Sequence, residues 1–243
     1  MELYLITGFL GAGKTTFLKN FARQFAGRRL RLIINEFGRA GVDGTLLREL
    51  DAALDEISNG SIFCACRLDQ FEAALEQAAA DAPDVALVEA SGLADPTNVR
   101  RVLAQFPAVS YQGSVCVADA ARLEKVFSTA RACPRQLAVS SLVLLNKTDL
   151  ATEAQCAEAK ALILRANPAA RIRRTQFGRF EPEWLSLIVP DVDVDEVLDM
   201  PDITLQKAVL QIRPTMPFAA LQKCLVQLAG ETWRIKGFVR VPE

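Results

Sequence analysis

The chain has 243 residues, 51% of them apolar, and a formal net charge of −1. It is long enough to bury a substantial core, and its balanced charge favours neither a nucleic-acid nor an anionic-membrane partner. No uninterrupted apolar run reaches membrane-spanning length. There is no histidine, so a metal site would need thiolates, carboxylates or backbone, and no imidazole serves as a base. The six cysteines are scattered apart from Cys64 and Cys66, and read as reduced thiols of a cytoplasmic protein. The absence of a basic segment or cleavage site after Met1-Glu2 reads as no signal peptide.

Leu3 to Thr7 reads as a short buried parallel strand. Gly8-Phe9-Leu10-Gly11-Ala12-Gly13-Lys14-Thr15 follows and fits G-x-x-x-x-G-K-[ST] without a gap, with Thr16 behind it. Phe17, Leu18, Phe21, Ala22 and Phe25 then mark one helical face, and Gly27 is placed to close the helix. Strand, loop and helix in this order make a phosphate cradle. Glycines let successive N–H groups turn inward, and the helix N-terminus adds partial positive charge. Gly8, Gly11, Ala12, Gly13, Thr15 and Thr16 are the expected phosphate contacts. Lys14 would reach the β- and γ-phosphates, and Thr15 would ligate Mg²⁺. The loop alone does not choose between ATP and GTP.

Leu30 to Ile34 is the second predicted strand. It leads into Asn35-Glu36-Phe37-Gly38 and Gly41-Val42-Asp43-Gly44. This segment suits a switch loop that senses the γ-phosphate, with Glu36 or Asp43 near Mg²⁺; a glycine-rich turn with solvated acids fits the residues equally well. The spacing predicts a weak helix from Leu46 to Ile57, then an amphipathic helix marked by Leu68, Phe71, Leu75 and Ala79 and broken at Pro83. Asp84 to Glu89 is the third strand. Glu89 at its tip is expected to hold Mg²⁺ or the attacking water, and Gly92 to offer its N–H to the γ-phosphate. Asp95-Pro96 predicts a helix start, with Val99, Val102, Leu103 and Phe106 as its buried face.

Gly113 to Asp119 is the fourth strand, and Leu123, Val126, Phe127 and Ala130 mark another helix. Cys116 reads as a core residue, and Cys133, Cys156 and Cys224 carry no assigned role. The fifth strand, Val139 to Leu145, delivers Asn146-Lys147-Thr148-Asp149. In this N-K-x-D pattern Asp149 would accept from guanine N1–H and the 2-amino group. Asn146 would read O6 and N7, and the Lys147 stem would pack along the base. Adenine would leave the carboxylate desolvated and unpaired, a rejection on the order of 10⁴. Thr152 to Gln155 is a capping box opening a helix that ends near Asn167-Pro168. Arg171 to Thr175 suggests a sixth strand, with Thr175-Gln176 near the base edge. These units give an α/β fold, a P-loop NTPase with a doubly wound, mostly parallel sheet. The expected divisions are a nucleotide domain over 1–185, an acidic linker over 186–202, and a small α+β piece over 203–243. That last piece comprises a strand from Leu205 to Ile212, a helix from Phe218 to Leu228 and a strand from Thr232 to Val241. It is too small for its own core, so it either packs on the first domain or is part of a longer one.

Taken together, the motifs resemble the CobW-like family of P-loop GTPases, relatives of the nickel-insertion GTPases of urease and hydrogenase. The residues carrying the resemblance are Gly8 to Thr16, Asn35 to Gly38 with Val42-Asp43-Gly44, Glu89 to Pro96, and Asn146 to Asp149, with Trp233 to Phe238 similar to the family's C-terminal domain. The resemblance implies slow Mg²⁺-dependent GTP hydrolysis, with Lys14, Glu89 and Glu36 serving the reaction and Thr15, Glu36 and Glu89 the Mg²⁺. It implies a client metalloprotein or corrinoid protein, and it leaves a nucleotide-dependent homodimer open. One block departs from the family. Where its Cys-x-Cys-Cys follows Asn-Gly, this chain has Ser61, Phe63 and Cys64 after Asn59-Gly60, with a second thiol at Cys66. Arg67 and Asp69 stay in register. Cys64 and Cys66 would give two thiolates to Zn²⁺ or another transition metal, with Glu36 as a third ligand; the alternative is that they are ordinary small residues. The chain is then either a metallochaperone or a GTP-dependent switch acting on a client without carrying metal itself.

Overall fold

The structure is a computed structural model describing residues 1–36, 52–58, 68–190 and 216–231. The chain divides into two compact units, Met1–Asp202 and Ile203–Glu243. In the first unit, seven strands form one parallel sheet in the order β3-β2-β4-β1-β5-β6-β7. They are β1 (Glu2–Thr7), β2 (Leu30–Glu36), β3 (Ala53–Ser58), β4 (Val85–Glu89), β5 (Ser110–Asp119), β6 (Leu142–Asn146) and β7 (Arg171–Arg174). The helices are α1 (Lys14–Ala22), α2 (Leu68–Asp81), α3 (Val99–Leu103), α4 (Leu123–Thr129), α5 (Ala132–Ala138) and α6 (Glu153–Ala166). The second unit contributes α7 (Phe218–Glu231).

Both faces of the sheet are covered at its centre, which is why β1, β4 and β6 are buried and largely apolar. Tyr4 and Ile6 join the cluster of Phe17, Phe21 and Phe25 on one face. Leu3 and Leu5 join Phe71, Leu75, Val99 and Val102 on the other. Alternate residues of one strand thus fill two cores. β1 lies between β4 and β5, where the chain stops adding strands on one side and begins on the other. In open α/β sheets the crevice past the strand ends at such a point is the ligand site.

Several expectations need correction. Residues 53–58 are a strand, although Leu46 to Ile57 carries a helical composition; residues 46–51 lie outside the described residues. Register decides it: Arg31 to Glu36 pairs in parallel with Ala53 to Ser58. Arg31, nearly buried, grips Asp55 at 2.6 Å and also pairs with Asp81 of α2. In α2 the third buried stripe position is Ala78, while Ala79 is only half-buried. α3 begins at Val99 and not at Pro96, because Asp95 accepts from both the N–H and the hydroxyl of Thr97 and holds a turn there. β6 begins at Leu142. Buried Asn167 donates to the carbonyls of Leu137, Ala138 and Ser140 at 3.1, 3.2 and 2.9 Å, fixing a turn ahead of the strand. The capping box at Thr152 and Gln155 is formed. The acidic stretch 191–202 and the two predicted strands of the second unit lie outside the described residues.

Candidate nucleotide site

The phosphate loop leaves β1 at Gly8, whose φ of +132° is open only to glycine. A Cβ there would stand 2.2 Å from the Val117 carbonyl of β5. Gly11 and Gly13 also have positive φ, and Gly13 caps α1 without a side-chain hydrogen bond. The first N–H groups of α1 therefore face the loop, where an anion would satisfy them. Lys14 is buried and folds back over the loop, its Nζ donating to the Phe9 carbonyl at 3.3 Å. Gly8 and Ala12 are buried, Gly11 and Thr16 exposed, and Gly13 and Thr15 half-buried.

Thr15 Oγ1 lies 3.2 Å from each carboxylate oxygen of Glu89 at the tip of β4. Hydroxyl and carboxylate together form a hard-oxygen pair at the mouth of the loop, the donor chemistry that Mg²⁺ takes. Glu36 closes β2 two residues beyond Ile34, the register partner of Glu89; only its backbone is described. Past Glu89 the chain packs tightly against the phosphate loop. A Cβ on Gly92 would come within 2.6 Å of the Leu10 N. Two side chains hold this segment: Asn35, from the block that carries the family resemblance, and Gln136, which no sequence motif marks. Asn35 donates to Ile57 O at 3.1 Å and accepts from Ser91 N at 3.2 Å. Gln136 of α5, fully buried, donates to the carbonyls of Gly92 and Ala94 at 3.2 and 2.9 Å. Its neighbour Arg135 pairs with Asp95. Burial alone would raise the Asp95 pKa, but hydrogen bonds from Thr97 and Arg135 outweigh it and hold the carboxyl below its ordinary value. A glutamine in an ordinary helix carries no sequence signal of such a role.

The N-K-x-D segment reaches the same place from the end of β6. The Asn146 amide donates to Ala12 O at 2.9 Å, and its oxygen accepts from Gly178 N at 3.1 Å. One amide hydrogen remains for a ligand. Lys147 has a left-handed backbone, and its ammonium donates to Gly11 O at 2.7 Å and to Asp119 at 2.8 Å. Its stem is thereby stretched across the loop. Asp149 is exposed, and its carboxylate makes no hydrogen bond or ion pair among the described residues. Thr175 is buried, and its carbonyl accepts from Thr148 N and Oγ1, while Gln176 is exposed.

Cys116 and Cys133 are buried in the core, and burial pushes the Cys116 thiol up to about 12. Cys156 is buried too, and Cys224 half-buried. Cys64, Cys66, Arg67, and the switch segment from Phe37 to Gly44 lie outside the described residues. No helix among the described residues is long and apolar enough to cross a membrane.

The chain is 32% identical over 206 residues to the zinc chaperone CobW of Pseudomonas aeruginosa, covering 70% of this chain and 55% of that protein. It is 26% identical over 226 residues to the zinc chaperone YjiA of Escherichia coli, covering 89% of this chain and 66% of that one. The chain thus spans between half and two thirds of the length of these relatives. Among solved structures, Zn(II)-bound YjiA GTPase from E. coli superposes with a TM-score of 0.56 at 21% identity, covering 92% of this chain and 69% of that chain. At that identity the likeness shows the fold, a P-loop α/β sheet. Residues 2–174 match the model described as CobW/HypB/UreG, nucleotide-binding domain. The chain belongs to the CobW/HypB/UreG family of nucleotide-binding domains.

Proposed function

We propose that this chain binds GTP with Mg²⁺, hydrolyses it slowly, and uses the nucleotide cycle to deliver a metal ion to a client metalloprotein. The observation that carries the guanine reading is the docking of the N-K-x-D segment on the phosphate loop. Asn146 and Lys147 are fastened to Ala12 and Gly11, while the Asp149 carboxylate is left uncommitted at the rim. An uncommitted carboxylate there suits two guanine donors. In this reading Gly8 to Thr16 hold the phosphates, with Lys14 moving off Phe9 O to reach them. Thr15 and Glu89 hold Mg²⁺ with Glu36, and Gly92 offers its N–H to the γ-phosphate. Bound Mg²⁺ would neutralise charge on the phosphate oxygens. In this reading turnover is slow and is raised by a partner or by self-association.

Metal delivery is supported by two relatives that carry the name zinc chaperone. In this chain the cargo ligands would be Cys64 and Cys66. The second reading is a GTP-dependent switch for a metalloenzyme or corrinoid client without metal cargo. It is favoured by the single thiol, Cys64, that remains where the related motif has three. Titration of Zn²⁺, Co²⁺ and Ni²⁺ with GTP–Mg²⁺ or GDP–Mg²⁺, alongside the Cys64→Ser, Cys66→Ser double variant, separates them. Metal delivery predicts one tight site that changes with the nucleotide and disappears in the variant. Intact nucleotide binding with no such site supports the switch.

A further inference from the structure

The loop after β7 sends two phenylalanines in opposite directions. Phe180 turns into the core, 9% exposed, against Phe17, Phe21 and Trp184. Phe177 turns outward, 63% exposed, from a backbone with φ +55°. A left-handed backbone is a real cost for a bulky side chain, and only glycine takes it freely. The strain is not the accident of a slack loop. Asn20 of α1 donates to the carbonyls of Phe177 and Gly178 at 3.1 and 2.9 Å. Gly178 N donates to Asn146, and Thr175 O accepts from Thr148. The loop is thus held on one side by α1 and on the other by the N-K-x-D segment, and the one large apolar group it leaves in water is this ring. Strain kept in place by surrounding bonds points to use.

We propose that Phe177 is a base-stacking residue, its ring covering one face of the purine while the Lys147 stem lies along the other. The proposal rests on the guanine-nucleotide reading above. Aromatic rings bind any base through its π-face, so Phe177 adds affinity and leaves the choice of guanine to Asp149.

The test uses the full chain with Phe177→Ala, Phe177→Gly and Phe177→Trp, measuring GDP and GTP affinity by calorimetry and thermal stability by melting. Stacking predicts that the alanine and glycine variants weaken GDP and GTP equally, about 10-fold, because the contact is to the base and not to the γ-phosphate. The tryptophan variant keeps or improves affinity. The glycine variant melts higher than wild type, because the left-handed strain is relieved, and yet binds more weakly. A structural role would lower stability and affinity together, and that result overturns the proposal. So does an alanine variant that binds GDP as tightly as wild type. If wild type takes ATP as readily as GTP, the guanine reading falls, while the alanine comparison still decides stacking.

Discussion

The Asn146 amide donates to the Ala12 carbonyl across 2.9 Å, so the end of β6 and the phosphate loop share one strut. Asn146 is buried, and its other end accepts from Gly178. In the proposed reading, the segment that would read the base and the loop that would hold the phosphates are therefore tied together. Asn146→Ala strands the Ala12 carbonyl and the Gly178 N–H. It should cost about 1–3 kcal/mol in denaturant unfolding and weaken GDP and GTP alike.

Asp149 behaves in the opposite way, because its exposed carboxylate has no partner among the described residues. Asp149→Asn should leave the melting temperature within about a degree of wild type, since an exposed group of this kind contributes little to stability. It should weaken guanosine nucleotides by on the order of 10²-fold or more and improve xanthosine nucleotides, whose C2 carbonyl accepts from the new amide. Competition binding with both bases checks this.

Two glycines separate fold from function. Gly8→Ala places a methyl 2.2 Å from the Val117 carbonyl on a backbone with φ +132°. It should cost at least about 3 kcal/mol or abolish soluble expression. Gly92→Ala drives into Leu10 at 2.6 Å, where both sides of the contact are loops and neither is a strand of the sheet. A smaller stability loss with a larger loss of GTP relative to GDP is expected, read by melting and by the ratio of the two affinities.

The balance between what the sequence disclosed and what it concealed has a physical basis. The phosphate loop, the N-K-x-D segment and the capping box are legible because each is a contiguous run whose residue types its chemistry dictates, even where its bonds reach distant parts of the chain. Residues 53–58 were not, because Ala, Leu and Glu favour a helix locally while pairing with β2 and the Arg31–Asp55 contact decide for a strand. The start of α3 is not legible at Asp95-Pro96, because the Asp95 carboxylate is turned to Thr97 and to Arg135, a partner forty residues away. Gln136 holds the segment after β4 through contacts between elements and leaves no local trace, whereas Asn35 stands in a motif block that does not itself disclose its bonds to Ile57 and Ser91.

Asp95 also predicts a pH dependence. Its folded pKa lies below the ordinary carboxylate value. Its contribution to stability is therefore present above about pH 4 and is lost as pH falls through the folded value. Asp95→Asn should lower the melting temperature at neutral pH, and the gap to wild type should close as pH falls below about 4.

In the proposed reading the Asp149 carboxylate selects guanine over a phosphate loop that would accept either purine triphosphate. The most direct measurement is competition of GTP, GDP and ATP for one site on the wild-type chain, with Mg²⁺ present. The account predicts that GTP and GDP displace each other at comparable concentrations, while ATP does so only at concentrations higher by on the order of 10⁴-fold. Equal displacement by ATP would contradict it.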